Sequence, residues 1–119
     1  MRVRREVLGT EHVDRSVAST TGFTADFQDF ITRTAWGDVW SREGVLDRRE
    51  RSLITLAVLA ALSAEEFRLH VRAAVNNGLT DEEIAEVLLH TAVYAGVPAA
   101  NAAFAVAQRV LEDDETRPG

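Results

Sequence analysis

Glu66 and His70 stand four residues apart in "SAEEFRLHVRAAVNNG" (63–78), which puts them one helical turn from each other on a shared face. A carboxyl group beside an imidazole is an acid/base pair, able to hold or deliver a proton near neutral pH. A plainer reading fits the same residues: Ser63 and Glu66 match a capping box, and a histidine in an apolar stripe is often a hydrogen-bonded core residue. His90 has Glu86 and Tyr94 at four residues to either side, the pattern of a solvated helix surface. His12, in "EHVDR" beside Asp14 and Arg15, reads as a loop histidine that could close over a site. No two of the three histidines share the spacing of a helical ligand pair and cysteine is absent, so no metal is expected. Arg48, Arg49 and Arg51 fall in the first turn of a helix, where the dipole disfavours positive charge, which hints at anion binding, while a solvated helix start paired with Asp47 and Glu50 is the plainer reading.

These groups need helices to hold them. Asp47, Ser63 and Thr80 are each followed three residues later by glutamate, marking three helix starts. "RSLITLAVLAAL" (51–62) is apolar almost all round, so it is expected as a core helix covered on every side. In the next segment Phe67, His70, Val71 and Ala74 fall at i, i+3, i+4 and i+7, turning His70 inward, and Gly78 supplies the stop. After Thr80, the residues Ile84, Val87, Leu88, Thr91, Tyr94 and Ala95 keep the same spacing up to a stop attributed to Pro98. "PAANAAFAVAQRVLEDD" then starts a helix whose alanines allow close backbone approach, as an interface helix would. Upstream, Phe27, Phe30, Ile31 and Thr34 share a face, with Trp36 and Trp40 around a break expected at Gly37. The expectation is a single all-α domain over 1–119, a helical bundle of about five or six helices, with a less regular segment at 1–22 and a frayed tail at 112–119.

Composition narrows the function classes. With 119 residues and 46% hydrophobic content the chain can bury one core. A net charge of -6 argues against nucleic acid or an anionic membrane as partner. All 13 basic residues are arginine, which excludes lysine nucleophiles and Schiff bases. Lack of cysteine excludes disulfide and thiol chemistry. No signal-like or membrane-spanning apolar run occurs, so the protein is expected to be soluble and cytoplasmic.

The segments "EHVDR", "AWGDVWSREG", "LDRRERSLITLAVLAAL" and "LHVRAAVNNGLTDEEIAEVLLHTAVYAGVPAANAAF", in this order and over roughly residues 2–111, resemble the 4-carboxymuconolactone decarboxylase family, within the wider alkylhydroperoxidase-D-like superfamily. "HVRAAVNNGLTDEEI" and "YAGVPAA" are shared across that superfamily and speak for fold, whereas "VLGTEHVDR" and "AWGDVW" look more like the decarboxylases. The peroxidase relatives carry a Cys-x-x-Cys and a later histidine where this chain has Ser63, Glu66 and His70, so thiol peroxidase activity is excluded here.

The resemblance implies cofactor-independent decarboxylation of 4-carboxymuconolactone, a small-molecule dicarboxylate lactone, to 3-oxoadipate enol-lactone and CO2 in the protocatechuate branch of the β-ketoadipate pathway. In that setting His70 would be proton donor or enolate stabiliser, and Glu66 its partner or the alternative acid. His12 and Arg15 would close the site, Arg48 and Arg51 would hold carboxylate, and Trp36, Trp40 and Tyr94 would be apolar walls or simply core. The resemblance also implies a homo-oligomer, a trimer or hexamer. Two rivals fit the same residues: a relative recruited to another decarboxylation or to lactone/enol isomerisation, and a non-catalytic helical assembly module.

Overall fold

The computed structural model describes residues 1–113. Their secondary structure is entirely helical, with seven α-helices and one π-helical stretch, and they divide into two compact units, Met1–Arg48 and one starting at Arg49.

In the first unit, α1 (Arg2–Leu8) and α2 (Thr10–Ala18) are joined through Gly9, and α3 (Ala25–Ile31) runs directly into a π-helical stretch, Thr32–Val39. The N-terminal 22 residues are therefore more ordered than the sequence suggested. α1 and α2 are only seven and nine residues long, and the buried stripe of α1, Val3, Arg4, Val7 and Leu8, includes an arginine. No break occurs at Gly37, which lies inside the π-helix. Within this stretch Thr34 Oγ1 donates to the Phe30 carbonyl at 2.7 Å. The register is i→i+5, as in the 2.8 Å bond from Trp40 N to Ala35 O. Of the face shared by Phe27, Phe30, Ile31 and Thr34, Phe27 and Phe30 are exposed.

The second unit contains α4 (Arg48–Leu62, whose first residue belongs to the first unit), α5 (Phe67–Asn76), α6 (Asp81–Ala95) and α7 (Val97–Asp113). Its core joins Leu56 of α4, Phe67 and Val71 of α5, Ile84 and Leu88 of α6 and Val110 of α7. Burying each such side chain contributes about 1.5–3 kcal/mol. Ala100, Ala103 and Ala107 form the buried face of α7, so the small residues are used within this unit, where α5 and α6 pack on α7. The core-helix expectation for α4 is half met: Ser52, Leu56 and Ala60 are buried, while Ile54, Val58 and Leu62 are exposed.

Helix ends show which polar residues do the terminating. Thr80 and Glu83 form the complete capping box at the start of α6. Ser63 does not cap α5. It adopts a left-handed φ of 53° just past α4, where Ser63 N bonds Ala60 O at 3.2 Å and Ala64 N bonds Leu59 O at 3.0 Å. That pair of bonds is a Schellman motif, so the serine ends one helix instead of starting the next. Gly78 repeats the motif after α5, with Gly78 N to Val75 O and Leu79 N to Ala74 O, both at 3.0 Å. Between α6 and α7 the stop is Gly96, at φ 103° and ψ 149°, a conformation essentially reserved for glycine, and Pro98 already lies inside α7. Of the tail expected at 112–119, residues 112 and 113 continue α7 and residues 114–119 lie outside the described residues.

Candidate functional site

α5 presents its pair at its first turn. Phe67, Val71 and Ala74 are buried, while His70 is half-buried, so the imidazole sits at the margin of the stripe with one side toward the core and one toward solvent. Glu66, the residue preceding α5, makes no side-chain capping bond and is exposed; its carbonyl accepts the His70 backbone N–H at 3.0 Å. The Glu66 carboxylate is not used for capping and stands one turn ahead of the half-buried imidazole.

A cavity of about 400 Å³ opens in the same unit, among apolar side chains from the end of α4, the start of α5 and α7. Neither Glu66 nor His70 lines it. Arg68, which does, projects roughly 160° round the α5 axis from His70. Two guanidiniums, Arg68 and Arg109, and two carboxylates, Glu65 and Asp113, line the cavity, so its charges balance and do not select a dianion. His70 lies on the other face of α5 from this cavity.

The remaining sequence candidates fall into different surroundings. Arg48 is bracketed by two carboxylates, with Nη2 2.6 Å from Glu6 and Nε 2.7 Å from Glu43, the latter contact lacking hydrogen-bond geometry. Held by Arg48 first of all, the Glu6 carboxyl lies below its usual pKa. Arg51 is half-buried one turn into α4. Arg49 pairs with Glu83 of the α6 capping box, and that hydrogen bond, seconded by Thr80, lowers the Glu83 carboxyl to about 2.

In the first unit Trp36 and Trp40 are buried and stacked, with centroids 5.4 Å apart and planes at 28°. His12 is helical, on α2, and not in a loop. It is half-buried, with Nε2 3.5 Å from Ser16 Oγ, and burial, then Arg15, then Arg4 hold its pKa below the ordinary histidine value. Arg15 is exposed one turn away. Tyr94, expected on the inner stripe of α6, is 81% exposed and packs on the ring of His90 at 5.1 Å; the buried stripe stops at Thr91. Tyr94 follows Thr91 by three residues at the last turn of α6, where no neighbouring element among the described residues covers it.

Sequence reasoning missed Arg4. It is 5% exposed, with Nη1 donating to Thr32 Oγ1 at 3.2 Å and Nη2 to Gln28 Oε1 at 3.3 Å. Its signal was present in "RVRREVLG", where Arg4 stands four residues before Leu8 and three before Val7. Among the described residues no group of three His, Asp or Glu side chains could hold a metal ion, and no helix is long and apolar enough to cross a membrane.

Residues 25–109 match the model of the family described as "Carboxymuconolactone decarboxylase family". The chain belongs to the carboxymuconolactone decarboxylase family. Among members of that family, it is 54% identical to 4-carboxymuconolactone decarboxylase of Acinetobacter baylyi over 114 residues, 95% of this chain and 84% of the relative. It is also 46% identical to a nitrosuccinic acid decarboxylase of Metarhizium robertsii, over 95% of this chain and 79% of that one. Carboxymuconolactone decarboxylase family membership thus spans both units of the described chain from Ala25 on, and the wider alignments reach the N-terminal helices.

Proposed function

We propose that the chain is a carboxy-lyase converting 4-carboxymuconolactone to 3-oxoadipate enol-lactone and CO2 in the protocatechuate branch of the β-ketoadipate pathway, without a cofactor. The observation that carries this reading is the half-buried His70 with Glu66 open one turn before it, in a chain 54% identical over 95% of its length to a 4-carboxymuconolactone decarboxylase.

In the reaction the bond between the ring carbon and the departing carboxylate breaks, and its electron pair delocalises into the lactone carbonyl as a dienolate. A proton is then delivered to carbon. His70 supplies the hydrogen bond to the enolate oxygen or the proton, and Glu66 orients the ring or is the alternative acid. A preorganised donor of this kind is worth about 3–4 kcal/mol and general acid catalysis about 10²–10⁴ in rate. His12 and Arg15 bind substrate, Arg48 and Arg51 are the carboxylate ligands, Arg48 being held by Glu6 and Glu43, and Trp36, Trp40 and Tyr94 provide apolar surface.

The exposed Phe23, Phe27, Ile54, Val58 and Leu62 support a homo-oligomer, which we place as a trimer or hexamer, and a catabolic enzyme of this kind would work in the cytoplasm. The similarity to a nitrosuccinic acid decarboxylase favours one second reading, decarboxylation of another dicarboxylic acid whose electron pair enters a nitro group instead of a lactone carbonyl.

The test is an ultraviolet assay with freshly generated 4-carboxymuconolactone, followed against its spontaneous decay. Turnover well above background, lost in His70→Ala with helicity retained, supports the proposal. A folded oligomer inert on the lactone but active on nitrosuccinate moves the function to the second reading.

A further inference from the structure

We propose that the mouth of the cavity in the second unit is a contact face for a second copy of this chain, joined about a two-fold axis so that each copy's guanidiniums meet the other's carboxylates. The inference rests on the homo-oligomer proposed above and names a face that two copies share.

The walls of the cavity are apolar, with Leu59 from α4, Phe67 from α5 and Ala102 and Val106 from α7. Leu59 and Val106 are only half-buried and Ala102 is exposed, so this lining keeps apolar surface toward solvent. Leu62, which stands between Leu59 and Ser63 of the lining in sequence, is 71% exposed and adds a protruding apolar side chain at the end of α4.

Four charges line the same cavity. Glu65 stands just before α5 and Arg68 in its first turn, while Arg109 and Asp113 belong to the last turns of α7. All four are exposed, and none makes an ion pair or a side-chain hydrogen bond among the described residues. Spacing does not explain this. Glu65 and Arg68 are three residues apart and Arg109 and Asp113 four, and the exposed four-residue pairs Arg2–Glu6 and Asp29–Arg33 do close. The next cation along α5, Arg72, lies outside the lining.

An apolar centre with a charged rim is the composition of a protein contact. A small anion at this mouth would use the two guanidiniums and meet the two carboxylates as well. A second copy can use all four groups. In a two-fold contact the same patch appears on both sides, and a patch with equal numbers of cations and anions can complement its own image. Leu62 of each copy is then the side chain available to enter the other's cavity, which at about 400 Å³ is large enough to receive it. A two-fold contact also requires an even number of copies.

Two variants of the full chain test this, both confined to exposed side chains and checked for native helicity by circular dichroism. Arg68→Glu with Arg109→Glu leaves only acids round the mouth, and Glu65→Arg with Asp113→Arg leaves only cations. Sedimentation equilibrium should give an even-numbered native assembly. Each variant alone should fall to half the native mass, because like charges then face each other across the axis, and an equimolar mixture of the two should regain the full mass. An odd-numbered native assembly, the native mass in either variant alone, or a mixture that stays at half mass overturns the proposal. A native chain that sediments as a single copy removes the homo-oligomer reading with it. A native oligomer that both variants leave intact removes this face alone and leaves the cavity to a small molecule.

Discussion

Asn77, at the end of α5, donates a 2.8 Å hydrogen bond from Nδ2 to Oγ of Ser52, a residue 2% exposed near the start of α4. The bond fixes the α5 terminus against α4 next to Gly78, whose left-handed φ of 93° completes the turn. Ser52→Ala removes the acceptor and leaves the half-buried amide without it, so we expect a loss of about 1–2 kcal/mol in urea unfolding. Asn77→Ala should cost a similar amount, and the double variant less than the sum of the two.

The Arg49–Glu83 pair gives a pH signature. The folded Glu83 carboxyl lies at about 2, below its unfolded value, so its contribution to stability is fully present above the unfolded pKa and is lost as pH falls toward about 2. Unfolding midpoints measured between about pH 5 and 2 should fall less steeply in Glu83→Gln than in the native chain. A parallel pH dependence in the two proteins would show that the pair does not hold in solution.

Ser63 sits in a backbone region that costs a non-glycine residue about 1–2 kcal/mol. Ser63→Gly relieves that cost and adds freedom to the unfolded chain, for a net stabilisation of about 0.5–1 kcal/mol by thermal melting. Destabilisation by that change would mean the hydroxyl, and not the turn, is what the position needs.

α4 offers a contrast between its two faces. Leu56 is fully buried, and Leu56→Ala should cost about 2–5 kcal/mol. Val58 is 49% exposed, so Val58→Ser should change the stability of the isolated chain by no more than about 0.5 kcal/mol while shifting sedimentation toward smaller species. An unchanged sedimentation profile would take Val58 out of any subunit contact.

What could be read in the sequence followed local physics. The Thr80–Glu83 box, the Gly78 stop and the buried stripe Phe67, Val71, Ala74 are set by spacing within one or two turns, and all three are present. Ser63 misled because Ser-x-x-Glu has the same pattern whether serine starts a helix or ends one; only the carbonyls of Leu59 and Ala60 distinguish the two. The Gly96 stop was attributed to Pro98, since proline is the louder signal although it is tolerated in the first turn. Arg4 shares the spacing of Val7 and Leu8, but what holds it inward, Gln28 and Thr32, lies more than twenty residues away, so the local pattern alone did not single it out. For the candidate site, the residue types at 66 and 70 were legible, but the half-burial of His70 and the exposure of Tyr94 depend on how α5 and α6 pack.

The Schellman turn at Ser63 separates two kinds of constraint along the chain. Because main-chain bonds alone end α4, the side chain at position 63 is unencumbered, and Glu66, relieved of capping, is equally so. A lineage could then exchange these side chains, thiol for hydroxyl or carboxylate, and acquire a different reactivity without relearning how to fold. The turn acts as a socket: the scaffold stays while the reagent mounted on it is replaced.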